Sequence, residues 1–355
     1  MQVIFDHSIF SLQPQGGISR WWLHHCMSLV SNESSFYHTG FYENCNPQGA
    51  SLRQAASIQQ SPGQIPKFWP VCRVRIPVIQ GRAIFHSSYF RVPQKSHDVR
   101  RIVTFHDNTV LNYDSVGSAV KRLLFGRCLA EADGIHCISE TAKNQLLETY
   151  PRLSGHRIKV IHHGLEFPSV EGLRPESIET ELPYVLFVGP RAAYKNGLTA
   201  LEGISKLDGF QLVFCGGGPP TNEELRYMRE RGIASRVQFL GHVTDAGLVW
   251  LYQHAFLLWF PSSSEGFGFP ALEAAACGCP VRAQNGHAVK EVCGDWVLSA
   301  DLVTADWLAA ETFALSQDNR RRTMLAGSGP ALAAGYSWKV YAQSMRALYS
   351  EVLSI

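Results

Sequence analysis

Two glutamates, Glu265 and Glu273, bracket a glycine-rich turn with seven residues between them, in Ser262-Ser263-Ser264-Glu265-Gly266-Phe267-Gly268-Phe269-Pro270-Ala271-Leu272-Glu273. An ionised carboxylate accepts hydrogen bonds and donates none, so such a pair suits hydroxyl-bearing partners, a diol above all. The same stretch has the means to hold an anion. Its glycines let backbone N–H groups approach a ligand, and a helix starting at Pro270 would aim free N–H groups and its positive dipole end at that ligand. Carboxylates repel phosphate, so the two acids do not serve the anion itself. Phosphate held between readers of hydroxyl groups suggests a sugar nucleotide. Arg191 and Lys195, in the loop Gly189 to Asn196, supply cations that fit a diphosphate, Arg as a fork and Lys as a point charge. Alone, that pair reads as solvated surface charge; beside an anion site it reads as part of the site.

These residues need elements to position them. Residues 255–260 are apolar and predict a buried strand closed by Pro261, while Ala, Leu and Glu after Pro270 predict a helix stopped at Gly278. The first half predicts strands at 3–5, 36–42, 83–86, 101–105, 134–138 and 157–161. Helices intervene after Gly16-Gly17, over 117–131, and from Ser139 as N-cap. Residues 43–66, rich in Asn, Gln, Ser, Gly and Pro, read as a long mobile surface segment. The run 67–82 mixes cations with Phe68, Trp69, Val74 and Ile76, which suits either an anionic membrane surface or a solvated domain surface. Residues 165–183, with Pro168, Gly172, Pro175 and Pro183, read as an interdomain linker. The alternation then resumes with strands at 184–188, 210–214 and 237–240, the strand at 255–260, and another near 292–298. Asn196 and Thr244 are placed as helix caps, and helices are predicted at 304–316, 318–333 and 337–353. Alternating strand and helix predicts two α/β halves, each a doubly wound parallel sheet covered on both faces. Ligands bind outside the carboxyl ends of such strands. Gly16-Gly17, His106-Asp107, Arg191 and Lys195 all lie there, and facing loops from the two halves would form a cleft.

Composition narrows the function classes. A chain of 355 residues with 45% hydrophobic and 11% aromatic residues predicts two packed domains. A formal net charge of +2 argues against nucleic acid as the main partner. Nine cysteines form no CxxC pair, and Cys277 and Cys279 lack a second ligand pair, so buried reduced thiols are expected and zinc is not. The N-terminus has no basic region before its short apolar run and reads as a strand, not a leader. Without a run of about 18 apolar residues, no membrane span is expected, and the predicted location is the cytoplasm with peripheral contact at the inner membrane face. No GxGxxG follows a strand, Gly216-Gly217-Gly218 runs into prolines, and no GxxxxGK[ST] occurs, which argues against nicotinamide cofactors and nucleotide hydrolysis. No Asp-x-Asp clamp is apparent, so no metal or cofactor is expected.

The stretch Glu265 to Glu273, continued by Ala-Cys-Gly-Cys-Pro-Val to Val281, resembles the signature of glycosyltransferase family 4, the retaining transferases of the GT-B fold. Gln15-Gly16-Gly17-Ile18-Ser19-Arg20, Thr104-Phe105-His106-Asp107, Ile138-Ser139-Glu140-Thr141, Val160 to Gly164, Val188 to Arg191 with Tyr194-Lys195-Asn196, and Gly241-His242-Val243 extend the match over nearly the whole length. The finer wording is similar to bacterial mannosyl- and rhamnosyltransferases of O-antigen and surface polysaccharide synthesis. The resemblance implies two Rossmann-like domains: an acceptor-binding domain of 1–170, completed by a returning C-terminal helix in 337–355, and a nucleotide-sugar domain of 171–336. It implies that Glu273 binds the ribose and Glu265 the donor sugar, with the amides of Phe267, Gly268 and Phe269 nearby. Arg191 and Lys195 would bind the diphosphate, Gly16 and Gly17 would lie against the phosphate and acceptor, and His106 would contact the donor sugar, oriented by Asp107. The implied reaction moves a hexose, mannose favoured, from a nucleotide sugar, GDP-mannose favoured, to a glycan or lipid-linked saccharide. The rival functions are a sugar-nucleotide epimerase and a non-catalytic sugar-nucleotide-binding protein. Arg282 and Gln284 depart from the family pattern, which is more often small or apolar there.

Overall fold

The computed structural model describes the chain apart from residues 13–16, 30–34, 40–46, 56–72, 74–75, 77–79, 95, 109–115, 169 and 286–287. The chain separates into two units, Met1–Gly164 with Ser337–Ile355, and Leu165–Tyr336. In the first unit, β1 (Gln2–Asp6), α1 (Ile9–Leu12), α2 (Gly17–Leu29), β2 (Ser35–Thr39) and α3 (Pro47–Ala55) lead to β3 (Ala83–Ser87) and β4 (Val99–Phe105). There follow α4 (Val116–Ala130), β5 (Gly134–Cys137), α5 (Glu140–Thr149) and β6 (Ile158–Val160). The second unit runs β7 (Tyr184–Val188), α6 (Gly197–Ser205), β8 (Gln211–Cys215), α7 (Asn222–Glu230), β9 (Val237–Gly241), α8 (Asp245–His254), β10 (Leu257–Phe260) and α9 (Phe269–Ala276). It ends with β11 (Val281–Gln284), α10 (Ala288–Cys293), β12 (Leu298–Ala300), α11 (Ala305–Gln317) and α12 (Asn319–Ala334); α13 (Trp338–Leu353) then returns to the first unit.

Each unit is built on a six-stranded sheet in which the paired strands run parallel. The central strands are buried throughout, as in β3, β8 and β10, because helices cover both faces. The strand order β2-β1-β3-β4-β5-β6 reverses direction between β1 and β3. The order β12-β11-β10-β7-β8-β9 reverses between β7 and β10. At such a switch point the two exit loops diverge and leave a crevice at the carboxyl ends. The loops after β7 and β10 carry Arg191, Lys195 and Glu265.

Several expectations are corrected. Within the segment read as mobile, Pro47–Ala55 is a helix, because Leu52 packs into the first unit's core with Phe10 and Trp22. The stretch read as a linker is part of the second unit: Leu173 N donates to Ala246 O at 3.0 Å, Glu179 N to Gln238 Oε1 at 3.0 Å, and Ile178 and Phe167 are buried. The crossings between units lie at 164/165 and 336/337, with residues 165–170 on the other side of the boundary drawn from the sequence. Residues 288–293 are helical, and the strand begins at Leu298. Ser139 and Thr244 do cap α5 and α8, accepting from Ala142 N and Gly247 N. Asn196 occupies the N-cap position of α6, but its side chain makes no cap bond. It takes φ +54°, and its Nδ2 donates to Pro261 O at 2.8 Å. Most of the run 67–82 lies outside the described residues; within it, Arg73 pairs with Glu131 at 3.1 Å.

Candidate active site

At the switch point of the second sheet, the loop after β7 is stitched to the loop after β10. Ser263 N and Oγ donate to Tyr194 O, at 2.8 and 3.1 Å, and Asn196 Nδ2 donates to Pro261 O. Between these ties Lys195 Nζ donates to Glu265 Oε1. The two side chains are 10% and 12% exposed, and Nζ also lies over the Phe260 ring at 5.1 Å. The predicted phosphate cation and the predicted hydroxyl reader are thus brought together directly. Strong mutual attraction in a largely dehydrated place holds both charges ready at the start of α9.

The turn into α9 depends on Gly268. It adopts φ +87°, and a Cβ there would meet Val289 Cγ2 at 2.6 Å. Gly268 is the helix N-cap and makes no side-chain cap bond, Pro270 sits in the first turn, and Phe267 is buried beside Phe269. One turn into the helix stands Glu273, 7% exposed. Its Oε2 accepts from Tyr252 Oη on α8 at 3.1 Å. Burial and the Glu273 charge push the Tyr252 phenol well up, so it remains a donor.

Arg191 is placed otherwise than its proposed phosphate fork requires. Its Nε donates to Glu224 Oε1 at 2.7 Å, and Nη2 donates to Gly218 O and Pro219 O, both at 2.9 Å. The guanidinium lies over the Phe239 ring at 4.7 Å. The fork therefore locks the Gly216–Pro219 turn to α7, whose N-terminus Glu224 also caps through Thr221 N. Nη1 is buried without a hydrogen-bond partner among the described residues; Gly217, at φ +74°, leaves room beside it, since a Cβ there would lie 3.1 Å from Nη1. Arg282 is fully buried on β11 with its Nε 3.6 Å from Glu311 on α11, so it faces a covering helix.

In the first unit, His106 follows β4, edge-on to Trp21 at 4.7 Å. Its Nε2 is buried without a hydrogen-bond partner among the described residues, and burial pushes its pKa down to about 3, so the ring is neutral. Gly17 opens α2 with open space where a Cβ would stand; Gly16 lies outside the described residues. Behind His106, three more histidines are locked in one chain. His136 Nε2 meets Ile161 O at 2.8 Å and must donate to it. Burial keeps the His136 ring neutral, with a pKa near 4, so its Nδ1 accepts from Thr104 Oγ1 at 3.0 Å. That hydroxyl has then used its proton and accepts from His86 Nε2 at 2.9 Å. By the same rule His86 Nδ1 accepts from Tyr349 Oη, Tyr349 accepts from His25 Nε2, and His25 Nδ1 accepts from Tyr341 Oη. The returning helix α13 is fastened to α2 and to three strands by this chain.

Residues 171–326 match the family described as "Glycosyl transferases group 1", and residues 33–167 match "Glycosyltransferase Family 4". The two matches follow one another along the chain, and together they take in every strand of the second sheet and all of the first but β1. The chain belongs to glycosyltransferase family 4. An O-antigen chain mannosyltransferase B of Escherichia coli is 28% identical over 275 residues, 72% of this chain and 71% of that one. A D-inositol 3-phosphate glycosyltransferase of Mycolicibacterium smegmatis is 31% identical over 241 residues, 63% of this chain and 54% of that protein, so the match spans about half the relative's length. The fold is GT-B: a glycosyltransferase from Rickettsia africae superposes with a TM-score of 0.74 at 16% identity, covering 99% of this chain and 98% of the other. HepE of Anabaena, solved with UDP-glucose, gives 0.71 at 14% identity, with 99% and 100% covered.

Lys195 and Glu265 meet between two loops of the second unit, and Glu273 stands one turn into α9. Tyr252 and Glu224 were not singled out. Tyr252 reads as one more apolar position of α8, and nothing local reveals that its hydroxyl meets a carboxylate 21 residues on. Glu224 had a local signal, because Thr221 with an acid three residues later is a capping box. The seven described cysteines are free thiols, six of them buried. No described helix is long and apolar enough to cross a membrane, and no described group of three His, Cys, Asp or Glu side chains is arranged to hold a metal ion.

Proposed function

We propose that this enzyme transfers a hexose, mannose favoured, from a nucleoside-diphosphate sugar, GDP-mannose favoured, to a hydroxyl of a glycan or lipid-linked saccharide, with retention at the anomeric carbon. The observation that carries this is the Lys195–Glu265 pair at the start of α9, one helical turn from the buried Glu273. In this reading Glu273 takes the ribose hydroxyls and Glu265 the sugar hydroxyls. Lys195, with the backbone amides of Phe267, Gly268 and Phe269, meets the diphosphate. Arg191 acts chiefly by holding the Gly216–Pro219 turn, with Nη1 as a donor toward phosphate. The roles of Gly16, Gly17 and His106 toward sugar and acceptor are those that the family resemblance implies. A neutral His106 can orient a hydroxyl without placing a second positive charge near the reacting carbon.

Negative charge grows on the diphosphate as the C1–O bond breaks, and fixed donors in a dry site stabilise it without reorganisation. The acceptor oxygen then bonds to C1 from the same face, and its proton passes to the departing phosphate oxygen. The phosphate charge is assigned to protein cations and N–H groups, with no metal ion or cofactor. The mannose preference draws on the E. coli relative's printed activity. The M. smegmatis relative's name favours a second acceptor reading, a phosphorylated polyol. Peripheral contact with the inner membrane face, through the cations and aromatics of 67–82, belongs to the lipid-linked version of the first reading.

The test is a thermal-shift panel of GDP, UDP, ADP and dTDP sugars, followed by transfer assays on glycan and polyol acceptors. A bound donor raises the melting temperature with the logarithm of its concentration. A shift confined to GDP-mannose supports the reading, and no shift with any of the four overturns it. A glycosyl-enzyme adduct trapped in mass spectrometry would replace the same-face route with a covalent one.

A further inference from the structure

Tyr252 is buried completely, and its position is set from several directions. Thr244 caps the start of α8, Tyr184 Oη donates to the Leu251 carbonyl at 2.7 Å, and the Phe167 ring stands edge-on to Tyr252 at 5.8 Å. A hydroxyl so placed points in one direction, and it points at Glu273 Oε2. A glutamate carboxylate turns readily about its last torsion, which has only a broad preference. One fixed donor removes most of that freedom, because the charged hydrogen bond is strong and directional. The carboxylate plane is therefore set before any ligand arrives.

We propose that Tyr252 is a positioning residue for the donor nucleotide: its hydroxyl fixes the plane of the Glu273 carboxylate against the ribose diol, and so sets a preference for ribonucleotides over 2′-deoxyribonucleotides. This rests on the reading that Glu273 holds the ribose. Tyr252 touches no ligand itself. Its removal lowers the benefit of a ribose hydroxyl and leaves the phosphate contacts as they were.

The experiment is calorimetric titration of the whole protein with GDP, UDP, ADP and dUDP, then with the 2′-deoxy form of whichever ribonucleotide binds best. Wild type is expected to favour the ribonucleotide about tenfold, the worth of a hydrogen bond to a charged group. Tyr252→Phe is expected to reduce that ratio to about twofold while the deoxynucleotide affinity stays within about twofold of wild type. In a Glu273→Ala background the same change should do nothing further to the ratio. Equal weakening of both nucleotides, or an unchanged ratio in Tyr252→Phe while Glu273→Ala abolishes it, overturns the role of Tyr252. No ratio in wild type, or no binding at all, overturns the reading of Glu273 and this inference with it. Should Tyr252→Phe fail to fold on thermal melting, Glu273→Asp takes its place: it keeps the charge but withdraws it from the hydroxyl. A wild-type ratio in that variant overturns the proposal equally.

Discussion

Lys195 and Glu265 hold each other in a place where neither is well hydrated, so removing one does two things at once. It deletes a ligand contact, and it leaves the other charge buried without a partner, a loss of about 3–5 kcal/mol for a fully buried pair and less here, where both retain some exposure. Lys195→Met and Glu265→Gln are each expected to lower kcat/KM by about a hundredfold or more, the scale of losing one preorganised contact to developing charge. Each should also melt earlier than wild type. The double variant should recover much of the melting temperature without recovering any transfer, since it removes both charges together. Paired melting curves and initial rates check this, and a double variant that turns over like wild type would remove the pair from the chemistry.

At the scale of elements, the site is a junction between two exit loops and the first turn of α9, and Gly268 is where that junction is tightest. Gly268→Ala forces a side chain into a left-handed backbone and against Val289. A cost of about 1–3 kcal/mol is expected, read as a lower melting temperature together with weaker nucleotide binding. The elements themselves were mostly legible in the amino-acid sequence. Strands buried on both faces are short apolar runs, and Ser139 and Thr244 announce helix starts by local chemistry alone. Asn196 looked the same and behaves differently, because its side chain is drawn to a carbonyl at the end of β10, a neighbour that only the folded sheet supplies. Arg191 differs for a related reason: Glu224 on α7 and the carbonyls of Gly218 and Pro219 hold most of its fork, and these partners come from parts of the chain that only the fold brings near. The helix at Pro47–Ala55 was hidden by a polar composition; among its described side chains Leu52 joins the buried core.

For the molecule as a whole, the buried histidines of the first unit make its stability depend on pH. Burial pushes His106 and His136 down to about 3 and about 4, and His25, His86 and His163 well below their ordinary value. An unfolded chain takes up these protons below about pH 6.5 and the folded one does not. Folding stability is therefore fully present above about pH 6.5 and falls as the pH drops toward 4, by up to about 1.4 kcal/mol per pH unit for each such histidine. Asp6, whose carboxyl is pushed up by burial, works in the opposite sense and offsets part of one histidine. Melting the protein between pH 7.5 and 4.5 should show a steep, early loss. Replacing Tyr349 by Phe should lower the melting temperature throughout that range, since His86 loses its donor and His25 its acceptor.

The hydroxyls of Tyr341 and Tyr349, with Met345, Leu348 and Val352, reach the first unit's core from α13. On the ribosome these residues emerge after the entire second unit, which is one uninterrupted stretch from Leu165 to Tyr336. The first unit, begun before the second, is completed only once α13 has been released. A version halted after Tyr336 should display a normally melting second unit joined to a first unit that binds hydrophobic dye and is digested by protease. The unit that starts first along this sequence is thus the one that closes last.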